Sequence, residues 1–129
     1  MPLTVVSAAF AHHSAAATYE ANESIRITGT VLEFRWTNPH CHAYISVTEG
    51  PFKGRTYTIE LSSPVALVRD GWNKTLLQPG DDVTMEVHPS RDRAPVGLCR
   101  RCAVTVNGSL KKTSGKLKET RDLRRRRVA

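Results

Sequence analysis

The residue types best suited to chemistry in this chain are its histidines: His12-His13 near the start, His40-Cys41-His42 in the middle, and His88. Alternate residues of a strand share a face, so His40 and His42 would stand about 6 to 7 Å apart, close enough to share one metal ion if their rings converge. If processing leaves His12 with a free α-amine, that amine and its own imidazole form a bidentate nitrogen chelate suited to Cu(II). His13 or His88 would then complete a nitrogen-rich set. Loop-edge imidazoles also have plainer uses, and His40 could simply hydrogen-bond the Asn38-Pro39 turn. Trp36 and Tyr44 flank the same stretch, either as a stacking platform for a sugar or base or as amphipathic rings sealing the end of a core. The candidate ligand corner is therefore Trp36, Asn38, His40 and Tyr44, and the candidate metal set is His12, His13, His40, His42 and His88.

The cysteines are the other candidates for chemistry. Cys99-Arg100-Arg101-Cys102 has the spacing of a redox pair, but that chemistry wants the first cysteine at a helix N-terminus. Here the local alternation reads as strand, which would place the two thiols on opposite faces with Cα atoms about 10 Å apart, too far to bridge unless the segment turns. Cys41 has the parity of an inward, buried residue. The chain carries no Gly-x-Ser-x-Gly elbow, phosphate-cradling glycine loop, His-Glu-x-x-His or dinucleotide fingerprint. Near the rim the carboxylates in view are Glu33 and Asp92. We expect no catalytic residues and a protein that is not an enzyme.

The elements that must position these groups follow from periodicity. Ile25, Ile27 and Val31 share one parity, whereas Leu32, Phe34 and Trp36 share the other, so the first strand needs a bulge, expected at Gly29. After the Asn38-Pro39 turn, Ala43, Ile45 and Val47 alternate as a second strand, and Tyr57, Ile59 and Leu61 as a third. Ser63-Pro64 reads as an N-cap followed by proline at the first helical position, with Gly71 just past the end. In that short helix Val65 and Val68, three apart, are expected to bury one face, with Leu67 and Trp72 extending it. Val83, Met85 and Val87 form a fourth strand, and Leu98 to Val106 a fifth. Three strands, a short helix and two strands predict an all-β fold: a five-stranded Greek-key barrel of the oligonucleotide/oligosaccharide-binding (OB) type, with an open sandwich as runner-up. In the barrel, the loop after the first strand and the loop from His88 to Gly97 border one binding face.

Length and charge bound the rest. At 129 residues one domain is expected. Residues 1–108 hold ten Lys/Arg and ten Asp/Glu, so the net charge of +7 lies in residues 109–129, nine basic against two acidic. A neutral body with a basic tail argues against a nucleic-acid groove built into the fold and makes polyanion binding a question for the tail, which is too polar to order itself. Met1 to Ala11 is apolar and ends in Ala9-Phe10-Ala11, a signal-peptidase pattern. We read it as the back half of a secretory signal cleaved after Ala11. The expected division is a partial signal over 1–11, an arm over 12–24, the barrel over 25–108 and a basic disordered tail over 109–129. No stretch reaches the ~18 apolar residues of a membrane span.

Ala11-His12-His13-Ser14, Gly29-Thr30-Val31, Trp36-Thr37-Asn38-Pro39-His40, Ser63-Pro64, Gly71-Trp72 and Leu77-Gln78-Pro79-Gly80-Asp81 together resemble a family of small bacterial exported proteins catalogued as a domain of unknown function. The resemblance spans roughly residues 11 to 108. It implies a periplasmic or secreted location and a β-barrel-like fold, and it supplies no activity. Ala15, the three cysteines and the basic tail depart from its pattern. The first functional expectation is an exported binding module with copper or another late transition metal at a histidine-rich rim. The second is polyanion or nucleic-acid binding through the tail and the OB-like face.

Overall fold

A computed structural model of the chain describes residues 18–112. Among these residues seven strands and one helix follow in order: β1 (Ile25–Arg35), β2 (His42–Val47), β3 (Thr56–Glu60), α1 (Pro64–Arg69), β4 (Asp82–Pro89), β5 (Val96–Leu98), β6 (Val104–Val106) and β7 (Ser109–Lys112). The sheet runs β1-β2-β3-β5-β4, and β4 pairs back onto β1, so the five-stranded barrel closes. Only β3 and β5 run parallel; the other neighbours are antiparallel. This is the expected OB-like Greek key, with the helix between β3 and β4.

β1 is long because it serves two ladders, pairing β4 through Ile25 to Thr30 and β2 through Gly29 to Arg35. The change of phase occurs at one extra residue between Val31 and Glu33, not at Gly29. That residue, Leu32, is turned outward and half exposed. Gly29 has a different task. It sits in both ladders, and a Cβ there would lie 2.0 Å from the Ser46 carbonyl oxygen. Absence of a side chain lets β1 press against β2 as the barrel closes.

Alternation along the strands sends Ile27, Val31, Ala43, Ile45, Ile59, Met85, Val87 and Val104 into one core, all fully buried. Ser63 caps α1 as expected, its hydroxyl accepting from the Ala66 amide at 3.3 Å. The apolar face is corrected, however: Leu67 goes inward, and Val65 and Val68 face solvent. With barely two turns, the helix can direct only one side chain into the barrel mouth, and the chain then folds back so that the Trp72 amide donates to the Leu67 carbonyl at 2.8 Å.

The expected fifth strand is two strands. β5 and β6 both run along β4, but between them the chain carries three residues more than the ladder needs: His88 faces Leu98, whereas Met85 faces Val104. The surplus is the Cys99–Cys102 turn, with Arg101 in the left-handed region (φ 51°). The turn brings the two Cα atoms to 5.0 Å and a disulfide closes it, which overturns the expectation of unbridged thiols on a regular strand. Both cysteines are buried in the core, as is the free thiol of Cys41. After Asn107-Gly108 the chain turns into β7, paired to β6, in residues expected to belong to the tail.

Candidate ligand-binding rim

The rim is built where β2 and β3 begin and end. Their register sets His42 opposite Glu60, and both side chains stand on the outer face. The Asn38-Pro39 peptide is cis, and Thr37 donates its hydroxyl to the His40 carbonyl at 3.4 Å, closing the β1–β2 loop. His40 then leans across β3: its Nδ1 lies 3.0 Å from Oε1 of Glu60. The other carboxylate oxygen accepts from the Tyr19 hydroxyl at 2.7 Å. Glu60 is thus gripped from both sides. The imidazole meets the carboxylate through Nδ1, so Nε2 is the ring nitrogen that Glu60 does not engage, on a side chain that is 51% exposed.

Tyr19 belongs to the arm before β1, which is fastened along the β4–β5 loop. Tyr19 forms an antiparallel bridge with Ser90, the Glu20 amide donates to the Pro89 carbonyl at 2.9 Å, and the Arg91 amide donates to the Thr18 carbonyl at 3.0 Å. Arg91 pairs with Glu20 at 2.7 Å, and Arg93 grips both carboxylate oxygens of Glu23 at 3.0 and 3.1 Å. The Arg93 guanidinium holds the Glu23 carboxyl below the usual carboxylate range. Tyr19 itself is only 7% exposed, and burial, then its bond to Glu60, pushes the phenol well above the ordinary tyrosine range. The two loops expected to border one face are therefore joined through the arm and Glu60.

The other expected site residues divide. Trp36 packs edge-on against Phe34, ring centroids 5.8 Å apart, and Phe34 in turn meets Trp72 at 6.0 Å. Trp36 is thus one ring of an aromatic seal over the barrel end. Tyr44 carries the Arg35 guanidinium 5.2 Å above its ring. Asn38 is exposed at the loop tip. His88 does not join His40 and His42. In the register it is separated from His42 by Glu60 and Leu98, three strand spacings or roughly 14 Å. Its Nδ1 donates instead to the Glu23 carbonyl at 2.8 Å and helps hold the arm. His12 and His13 lie outside the described residues. Among the described residues no group of three or more His, Cys, Asp or Glu is placed to hold a metal ion.

The carboxylates expected near the rim are engaged elsewhere: Glu33 with Arg35 at 3.3 Å, and Asp92 with the Ser90 hydroxyl and the Ala94 amide. Those hydrogen bonds, Ser90 first, keep the Asp92 carboxyl below its usual range. The rim carboxylate is Glu60, which sequence reasoning missed. Its signal was its parity, outward between Ile59 and Leu61. Tyr19 carried none, standing in a stretch of small and polar residues. The disulfide turn lies beside this rim, since the Cys99 amide donates to the Glu60 carbonyl at 2.9 Å. No helix among the described residues is long and apolar enough to cross a membrane.

No protein of curated function matches the chain. Two crystal forms of the Saccharomyces cerevisiae mitochondrial single-stranded DNA binding protein Rim1 are similar in structure. The first form has 11% identity and a TM-score of 0.47 over 73% of this chain and 98% of that one; the second has 14% and 0.44 over 70% and 96%. The model of a family of unknown function, DUF6152, matches residues 2–100, and the chain belongs to that family.

Proposed function

We propose that this protein is an exported, non-enzymatic binding module that takes a late transition metal, copper first, at the imidazoles of the rim. The observation that carries the reading is the Glu60 carboxylate on His40 Nδ1, the arrangement by which proteins orient a metal-binding imidazole and raise its basicity. His42 stands beside it on the same face. The rest of the ligand set would come from upstream. His13 lies six positions before Tyr19 in the sequence, a reach of up to about 20 Å, and Tyr19 already touches the carboxylate that holds His40. Cleavage after Ala11 would add the α-amine of His12. The Cys99–Cys102 disulfide supports the exported location, because such bonds persist in oxidising compartments.

The test is Cu(II) titration, by calorimetry and visible absorption, of a chain beginning at His12 against the same chain extended by Ala11. Tighter binding in the first form, weakened by His40→Ala and by His42→Ala, is expected. Equal weak affinity in both forms removes the amine chelate, and insensitivity to His40→Ala removes the rim.

A second reading, polyanion binding, rests on the basic end of the fold. Arg100 and Arg101 pair with no acidic group among the described residues, and β7 leads into residues 113–129, which hold seven more basic residues. Truncation after Lys112, which keeps β7, should abolish salt-dependent retention on heparin. Unchanged retention would exclude the tail as its source.

A further inference from the structure

We infer that the N-terminal arm is a working part of the rim, with Tyr19 as a positioning residue that fixes His40 through Glu60. The inference rests on the reading of His40 as a ligand but is measured separately from it. Glu60 is the hinge of the argument. Standing partly in water at the end of β3, a lone glutamate would sample several rotamers and hold His40 only part of the time. Tyr19 removes that freedom by taking one carboxylate oxygen at 2.7 Å while the other faces His40 Nδ1 at 3.0 Å.

Tyr19 can do this because its own place is set from outside the rim. The Ser90 bridge, the Arg91–Glu20 pair, the bidentate Arg93–Glu23 pair and the His88 bond to the Glu23 carbonyl all fasten the arm to β4 and the loop after it. The chain of contacts therefore runs from the β4–β5 loop, through the arm and Glu60, to Nδ1 of His40. Lifting the arm withdraws the phenol from Glu60 and lets His40 turn.

The experiment uses the full chain without metal. Nitrogen-15 NMR of the imidazole side chains reports which ring nitrogen of His40 carries the proton. Wild type is expected to show the Nδ1–H form. Tyr19→Phe, which keeps the ring in place and removes only the hydroxyl, should shift His40 towards the mixed tautomers of a free imidazole, and so should Arg91→Ala/Arg93→Ala, which loosens the arm. Arg26→Ala, which breaks an exposed pair with Glu86, should leave His40 unchanged. In Cu(II) titrations of the same proteins Glu60→Ala should weaken binding by about 10- to 100-fold, the usual effect of removing a partner behind a ligand, and Tyr19→Phe should weaken it less but in the same direction. A His40 tautomer indifferent to both Tyr19→Phe and the arginine pair overturns the inference. A tautomer that shifts in a protein that binds no copper upholds the arm and sinks the metal reading instead.

Discussion

The Tyr19–Glu60 bond makes a quantitative prediction about stability against pH. Removing the hydroxyl in Tyr19→Phe takes away a hydrogen bond to a charged acceptor, worth about 1.5 to 3 kcal/mol. Glu60 keeps 27% of its side chain exposed, so water replaces part of the loss and the lower end, about 1.5 kcal/mol, is expected at pH 7. The gap should then close in alkali. In the folded protein the phenol is held protonated by burial and by Glu60, while in the unfolded chain it titrates near pH 10. Above that pH the unfolded state binds fewer protons than the folded one, so wild-type stability falls as pH rises. The fall is about 1.4 kcal/mol by pH 11, and a phenylalanine cannot show it. Tyr57, also raised by burial, contributes the same slope to both proteins and cancels. Urea titrations followed by the fluorescence of buried Trp72, at pH 7, 9, 10 and 11, should show a constant difference below about pH 9 and near-convergence at pH 11. A difference that stays flat to pH 11, or no difference at pH 7, would refute the contact.

Three further predictions follow from the fold. Closing the four-residue Cys99–Cys102 loop constrains the unfolded chain by about 2 kcal/mol, so Cys99→Ala/Cys102→Ala should lower the urea midpoint accordingly, and an unmoved midpoint would contradict a closed bridge. Alkylation followed by mass spectrometry should label no cysteine in the native protein, Cys41 alone on denaturation without reductant, and all three with it; native labelling of Cys41 would deny its burial, which also pushes its thiol up. Gly29→Ala should cost about 3 kcal/mol or more, because the new methyl meets backbone rather than a side chain that can move, and a variant of near wild-type stability by the same urea assay would refute the close approach of β1 and β2.

Much of this architecture was legible in the chain because its causes are local. Alternation along 43–47, 57–61 and 83–87 depends on a two-residue period that any half-buried strand imposes, and Ser63-Pro64 caps a helix whatever surrounds it. Those signals, in their order, were enough for the β-β-β-α-β-β barrel and for Cys41 pointing inward. The contest of parities in β1 even announced a bulge, although it fell at Leu32 and not at Gly29, because local sequence shows that a phase must change and the facing ladder decides where.

What tertiary structure alone decided depends on which distant residues face one another. The register of β2 against β3 put His42 and Glu60 side by side, and the arm's bridge to Ser90 brought Tyr19 to the same carboxylate from 41 residues away. Pairing along β4 exposed the three-residue surplus that turned Cys99 and Cys102 towards each other, and it carried His88 off to the arm. Periodicity tells a side chain which face of its strand to take; only the closing of the barrel chooses its neighbours there, and at this rim the neighbours are what make an imidazole a candidate ligand.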